Sequence, residues 1–325
     1  MEERALGNSG LFVSRFALGT MTWGRDTDAL EARDQLEAYL AAGGNFIDTA
    51  DVYAEGVSES ILGELLAEFG VRDRVVLATK AVSQPNTPRR FNASRAHILR
   101  CLEESLRRLQ VETIDLWQLH APDPLTPIDE TLAALTSAVA SGKVRYVGVS
   151  NYAGWQLAQA HALQRDTPAP IISTQMEYSL LERGIEREVV PASLDLGVGV
   201  LPWSPLGRGV LTGKYRHGVP SESRASSDHF ARFVSLYLDE QHRRVVDAVA
   251  TAAEGLGVAP LEVALAWVRD QPGVIAPILG ARTAEQLGQA LAADDVELPT
   301  EINAALTEIS APPTGYPESG WAQRR

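Results

Sequence analysis

Eight short apolar runs alternate with amphipathic stretches along nearly the whole chain, and this alternation predicts a (β/α)8 TIM barrel. Two further observations agree. The runs are almost continuously apolar, as strands covered on both faces must be. No composition shift or low-complexity linker divides the 325 residues, so one domain spanning 1–325 is expected although length alone would allow two.

A β-hairpin over Arg4 to Arg15, turning at Asn8-Ser9-Gly10, is predicted ahead of the barrel. The strands then follow as Phe16–Thr20, Asn45–Thr49, Val75–Lys80, Ile114–His120, Val144–Ser150, Ile171–Gln175, Val198–Trp203 and Val274–Gly280. Thr27 is a candidate cap for the first helix, which stops at Gly43-Gly44; Ser58 and Ser94 are candidate caps for the next two. Thr126-Pro127 with Asp129 reads as a helix start and Gly142 as its stop. Arg216 to Phe230, rich in Ser, Gly and charge, and the tail Ala311 to Arg325 are expected to be irregular. A doubly wound dinucleotide fold would need Gly-x-Gly-x-x-Gly in its first strand-to-helix turn. The nearest approach, Gly207-Arg208-Gly209-Val210-Leu211-Thr212-Gly213, lies late in the chain and has one residue too many.

Composition narrows the function. With 45% hydrophobic and 22% charged residues the chain has ordinary globular content. A net charge of −13 argues against a general nucleic-acid or anionic-membrane surface. The start of the chain does not resemble a signal peptide and no run is long enough to span a bilayer, so a cytoplasmic protein is expected. Cys101, the single cysteine, sits among Ile98, Leu102, Leu106 and Leu109 at helical spacing and reads as core. His161, His217, His229 and His242 show no ligand spacing, so no metal site is predicted.

The chemistry concentrates at strand ends. Asp48 closes one predicted strand, Tyr53 follows five residues later, and Lys80 and His120 close the next two. Parallel strands bring such residues onto one rim. A phenol with a reference pKa of about 10 is a poor proton donor at neutral pH. A neighbouring ammonium stabilises the phenolate and lowers that value, and a carboxylate can hold the ammonium in place. Taken singly, Tyr53 could be a packing residue, Lys80 a solvated charge and His120 a structural imidazole. Together they form a proton-donating apparatus for a carbonyl, and the chain reads as an enzyme.

The chain resembles the aldo-keto reductases, and the matching pieces run in order along nearly all of it. They include Leu18-Gly19-Thr20-Met21-Thr22-Trp23-Gly24, Asn45-Phe46-Ile47-Asp48-Thr49-Ala50-Asp51-Val52-Tyr53, Thr79-Lys80 and Leu116-Trp117-Gln118-Leu119-His120. Val147-Gly148-Val149-Ser150-Asn151, Gln175-Met176-Glu177-Tyr178, Trp203-Ser204-Pro205-Leu206-Gly207, Leu211-Thr212-Gly213-Lys214-Tyr215 and Gly280-Ala281-Arg282-Thr283 follow. Looser features resemble the bacterial reductases and the potassium-channel β-subunits of that superfamily.

The resemblance implies an NADPH-dependent reductase of aldehydes or ketones, with NADH possible as cofactor and a small carbonyl compound as partner. It implies Tyr53 as proton donor, Lys80 as the group lowering its pKa, Asp48 as partner of Lys80, and His120 as the group orienting the carbonyl. It implies Ser150, Asn151 and Gln175 on the nicotinamide amide and Trp203 stacked on its face, with Gly19, Thr20, Met21 and Asp48 also at the cofactor. Ser204, Pro205, Leu206, Gly207, Gly209 and Lys214 would follow the pyrophosphate. Gly280, Ala281, Arg282 and Gln286 would stand at the adenosine 2′-phosphate, where Thr283 can cap a helix whose N–H groups favour anions. Trp23, Val52, Tyr53, His120 and the loop from Ala81 to Phe91 would face the substrate, giving a largely apolar wall suited to a neutral carbonyl. The chain departs from the family where many members carry a second arginine, here Gln286, and where an adenine-binding Glu-Asn pair is replaced by Gln289-Ala290. A nucleotide-sensing partner with little turnover, like the channel β-subunits, is the alternative; a barrel hydrolase or lyase, which needs a metal or a Schiff-base lysine such as Lys80, is a third reading. The residues carry no signal of oligomeric state.

Overall fold

The computed structural model describes residues 1–216, 218, 220, 231–313, 315, 316 and 319. Strands β1 (Glu3–Ala5) and β2 (Phe12–Ser14) form the antiparallel hairpin. The barrel strands are β3 (Ala17–Gly19), β4 (Phe46–Asp48), β5 (Val76–Ala81), β6 (Ile114–Leu119), β7 (Val144–Ser150), β8 (Ile171–Glu177), β9 (Gly199–Trp203) and β10 (Ile278–Gly280). All eight are parallel and stand in the spatial order β10-β3-β4-β5-β6-β7-β8-β9. Val200 pairs with Val274, and Ile275 N–H donates to Val200 O at 2.9 Å, drawing the two edges into a nearly closed barrel. The last strand is shorter than the expected Val274–Gly280 because Pro277 has no N–H to give a ladder.

Around the strands lie α1 (Ala29–Ala41), α2 (Val57–Phe69), α3 (Arg95–Leu109), α4 (Ile128–Ala140), α5 (Gly154–Gln164), α6 (Val189–Leu196), α7 (Ala231–Ser235), α8 (Glu240–Leu256), α9 (Pro260–Arg269), α10 (Ala284–Leu291) and α11 (Thr300–Ile309). Among the described residues no single helix is long and apolar enough to cross a membrane. Two caps differ from expectation. Asp28, not Thr27, caps α1 by accepting Glu31 N–H, whereas Thr27 Oγ1 donates to Thr22 Oγ1 and Arg282 O. Ser58 falls inside α2, where its buried hydroxyl donates to Thr20 O; Gly56 occupies the cap. Ser94 does precede α3, but its hydroxyl bonds Asn92 Oδ1. Most of the Arg216 to Phe230 stretch and of the Ala311 to Arg325 tail lies outside the described residues.

Alternation along the strands creates two apolar layers. Phe46, Ala78, Leu116, Ile172 and Leu201 point inward and pack with Leu6 and Val13 of the hairpin, which plugs the end where the strands begin. Ile47, Leu77, Trp117, Val147 and Val200 join the larger layer between strands and helices. Burial at about 25 cal/mol per Å² makes these layers the main stabilising term. Plugging one end leaves the opposite rim, at the strand C-termini, as the place for a site.

Candidate active site

The rim opens into a cavity of about 830 Å³ that Asp48, Tyr53 and His120 all line. Asp48 ends β4, and a short helical turn (Tyr53–Gly56) just after it carries Tyr53. Lys80 is the penultimate residue of β5, and His120 directly follows β6. The Lys80 side chain is fully buried, and its ammonium uses all three donors. Nζ donates to Asp48 Oδ1 at 2.5 Å, to Thr49 O at 2.8 Å and to Tyr53 Oη at 3.3 Å. The other Asp48 oxygen accepts from Gln118 Nε2 at 3.2 Å and Gln175 Nε2 at 2.9 Å. The His120 ring stands edge-on to Tyr53, with centroids 6.0 Å apart and an 83° interplanar angle.

These groups shift each other. Burial alone would lower the pKa of Lys80, but Asp48 and Tyr53 together outweigh it and the net direction is up. For Tyr53, burial pushes the phenol above its usual value, Lys80 pulls it down, and Asp48 pushes it up again. The net direction is up, so the expected lowering by Lys80 is overturned by a desolvation effect that depends on depth in the barrel mouth. Burial, seconded by the Lys80 charge, holds His120 down at about 3, so its imidazole is neutral across the physiological range. Its Nδ1 is buried without a protein partner. Behind the rim Asp51 is raised to about 7, first by burial and then by the Glu59 charge, and contacts Cys101. Burial raises Cys101 to about 12, which makes its thiol inert, in keeping with its helical spacing.

Most of the other predicted residues line the same cavity: Gly19, Thr20, Met21, Ser150, Asn151, Gln175, Trp203, Ser204, Pro205, Leu206, Gly209, Lys214, Gly280, Ala281, Arg282 and Gln286. Two do not. Trp23 is fully buried and donates Nε1–H to Gln35 Oε1 at 3.0 Å, so it belongs to the core beneath the rim and not to the substrate wall. Gly207 lies against Leu181, whose side chain would sit 2.7 Å from an added Cβ. Asn151 adopts φ +60° and ties three strand ends together. Its Nδ2 donates to His120 O and Ser150 Oγ, and its Oδ1 accepts Trp203 Nε1–H at 3.1 Å. The helix start near Arg282 is less open to an anion than expected. Arg282 N–H donates to Gln286 Oε1, Gln286 N–H to Thr283 Oγ1, and Ala284 N–H to the Glu31 carboxylate.

Several site residues escaped the sequence reading. Gln118 was singled out only as part of a motif, although its inward register two positions before His120 could have marked it as a partner of Asp48. Arg208 lines the cavity while forming a two-bond pair with Glu177 at 2.8 and 2.6 Å. Glu31, on a helix far from the strand ends in sequence, gave no signal.

Comparison with known proteins accords with this geometry. The aldo/keto reductase family model matches residues 15–311. The "Uncharacterized oxidoreductase YrpG" of Bacillus subtilis is 41% identical over 99% of this chain and 100% of its own. The "Aldo-keto reductase YhdN" of the same organism is 34% identical over 97% and 96% of the two chains. A "Probable voltage-gated potassium channel subunit beta" of Oryza sativa subsp. japonica is 35% identical over 91% and 92%. The family match begins just before the first barrel strand and runs past the last helix, leaving no part of the barrel outside it: the chain belongs to the aldo/keto reductase family of oxidoreductases.

Proposed function

We propose that this chain reduces aldehydes or ketones to alcohols, reversibly, using NADPH and to a lesser extent NADH, with Tyr53 as the proton donor. The single observation that carries the reading is the Lys80 ammonium held between Asp48 and Tyr53 at the cavity wall. The residues also fit a phosphate-bearing nicotinamide cofactor. Lys214 and Arg282 line the cavity beside Arg208, which Glu177 already engages, and the one carboxylate among its described lining residues, Asp48, is already paired with Lys80. No atom lies within 4 Å of where a Cβ would stand on Gly280, so backbone is open to a ligand there. A bound nicotinamide supplies the hydride.

The chain's own groups do the rest. The Tyr53 phenol gives its proton to the carbonyl oxygen as negative charge develops there, and Lys80 stabilises the phenolate left behind. Neutral His120 offers an N–H to the same oxygen, orienting the carbonyl without adding a full charge. Asp48 keeps Lys80 protonated in a site that would otherwise favour loss of its proton. This also disfavours the lyase reading, since a Schiff-base lysine must be neutral to attack. Ser150, Asn151, Gln175 and Trp203 would hold the nicotinamide, and Arg282 with Lys214 the phosphates. Turnover of NADPH and NADH with a panel of simple aldehydes and ketones tests the reading; steady oxidation of NADPH is expected. Tight cofactor binding with no turnover on any carbonyl would favour the sensing role suggested by the relatives named as channel subunits.

A further inference from the structure

The loop after β5 carries two consecutive arginines with different surroundings. The loop is a small closed structure: Ser83 pairs with Phe91, Gln84 N–H donates to Arg90 O at 2.7 Å, and Asn92 N–H donates to Val82 O at 2.9 Å. Thr87 Oγ1 bridges its tip by donating to Gln84 O and Arg89 O. It leaves the strand through Val82 at φ +105°, a conformation that a β-branched residue adopts only under constraint. Arg89 anchors it, donating to Asp123 Oδ2 at 2.8 Å and Thr126 Oγ1 at 2.7 Å on the loop after β6. Asp123 is saturated further by Ala93 N–H, Leu125 N–H and the Thr126 hydroxyl.

Arg90 is placed differently. It lines the cavity together with Ser83, Phe91, Tyr53 and His120. Its guanidinium lies over the Phe91 ring, 5.4 Å from the centroid, and Phe91 is itself packed on the core. Among the described residues no carboxylate pairs with Arg90. A guanidinium laid on an aromatic face keeps its edge donors available, and their fork matches the oxygens of an anion. The chain carries a net −13, yet the charged groups on this cavity wall are cationic except for Asp48, which Lys80 neutralises, while Arg208 is itself paired with Glu177.

We propose that Arg90 is a specificity residue that binds an anionic group, carboxylate or phosphate, on the carbonyl substrate. The substrate class is then an aldehyde or ketone bearing a negative charge at its far end, not the neutral compound that an apolar wall would suit. The proposal rests on the reductase reading above and deepens it.

The test compares kcat/KM for 4-carboxybenzaldehyde and 4-formylphenyl phosphate, each against the neutral methyl 4-formylbenzoate, in wild type, Arg90→Gln and Arg90→Lys. Wild type should prefer one of the charged aldehydes, and which one identifies the anion. Arg90→Gln should lower the charged-to-neutral ratio about tenfold, mainly through KM, and Arg90→Lys should restore part of it. Salt should erode the wild-type preference, because this side chain is exposed. A ratio that is the same in wild type and Arg90→Gln would overturn the proposal. Absence of turnover with all three aldehydes would instead count against the reductase reading. In that event calorimetric binding of 4-(hydroxymethyl)benzoate and 4-(hydroxymethyl)phenyl phosphate to the NADPH-saturated protein still decides. Either alcohol bound at least several-fold more weakly by Arg90→Gln than by wild type supports the proposal, and equal affinity in the two proteins refutes it.

Discussion

Lys80 is the residue on which the site's electrostatics turn, because its ammonium touches both Asp48 and Tyr53. Replacing it by methionine removes the charge that pulls the Tyr53 pKa down, while burial and Asp48 still push it up. Alcohol oxidation needs the phenolate as base, so its pH profile in Lys80→Met should move to higher pH with a loss of rate. An unchanged profile in an active variant would refute the role. The same change strands a buried carboxylate, whose two amide donors from Gln118 and Gln175 remain, and should cost about 3 kcal/mol of stability. His120 yields a second pH prediction. Its value falls from 6.5 in the unfolded chain to about 3 in the folded one, so between those values only the unfolded chain binds the proton. Its contribution to stability is complete above about pH 6.5 and is lost as pH falls toward 3. Urea unfolding of His120→Gln should therefore show a shallower decline of stability between pH 7 and 4 than wild type. Equal declines would mean that the ring is solvated enough to titrate normally.

Among the secondary-structure elements, the start of α10 decides how strongly the cofactor's 2′-phosphate is read. A free helix N-terminus attracts anions, but here Thr283, Gln286 and the Glu31 carboxylate each take an N–H at the turn. The burden falls on Arg282, which lines the cavity. Arg282→Ala should weaken NADPH roughly 10- to 100-fold and leave NADH nearly unchanged, at about 1.5–3 kcal/mol for a hydrogen bond to a charged group. Glu31→Gln removes a competing negative charge and should tighten NADPH a few-fold, again without moving NADH. Fluorescence titration of both cofactors checks both variants; equal changes for the two cofactors would mean that the residues only support the loop.

Much of the molecule as a whole was legible in sequence, and the exceptions have physical causes. Alternation of buried runs with amphipathic ones dictated eight strands and one rim, and the rim brought Asp48, Tyr53, Lys80 and His120 together. Most strand ends shifted by a residue or two, and β10 shortened most, where Pro277 cannot donate to the ladder. Trp23 was misplaced because a loop tryptophan can face a cavity or turn inward, and only the distant Gln35 acceptor settles which. The net direction of the Tyr53 shift was not legible either, because desolvation depends on depth while the charges depend on motif. Glu31 lies on α1 and meets α10 only in the closed barrel, where the two ends of the chain become neighbours.

The barrel gathers three strand ends around one phenol, and the proposed chemistry stands or falls with that phenol's proton. Tyr53→Phe keeps the ring and removes only the hydroxyl, so the decisive measurement is single-turnover reduction of 4-nitrobenzaldehyde by this variant, with NADPH affinity determined on the same preparation. NADPH should bind about as tightly as in wild type, while the rate should fall by at least about 100-fold. Normal NADPH binding combined with more than about a tenth of the wild-type rate in Tyr53→Phe would contradict Tyr53 as the proton donor.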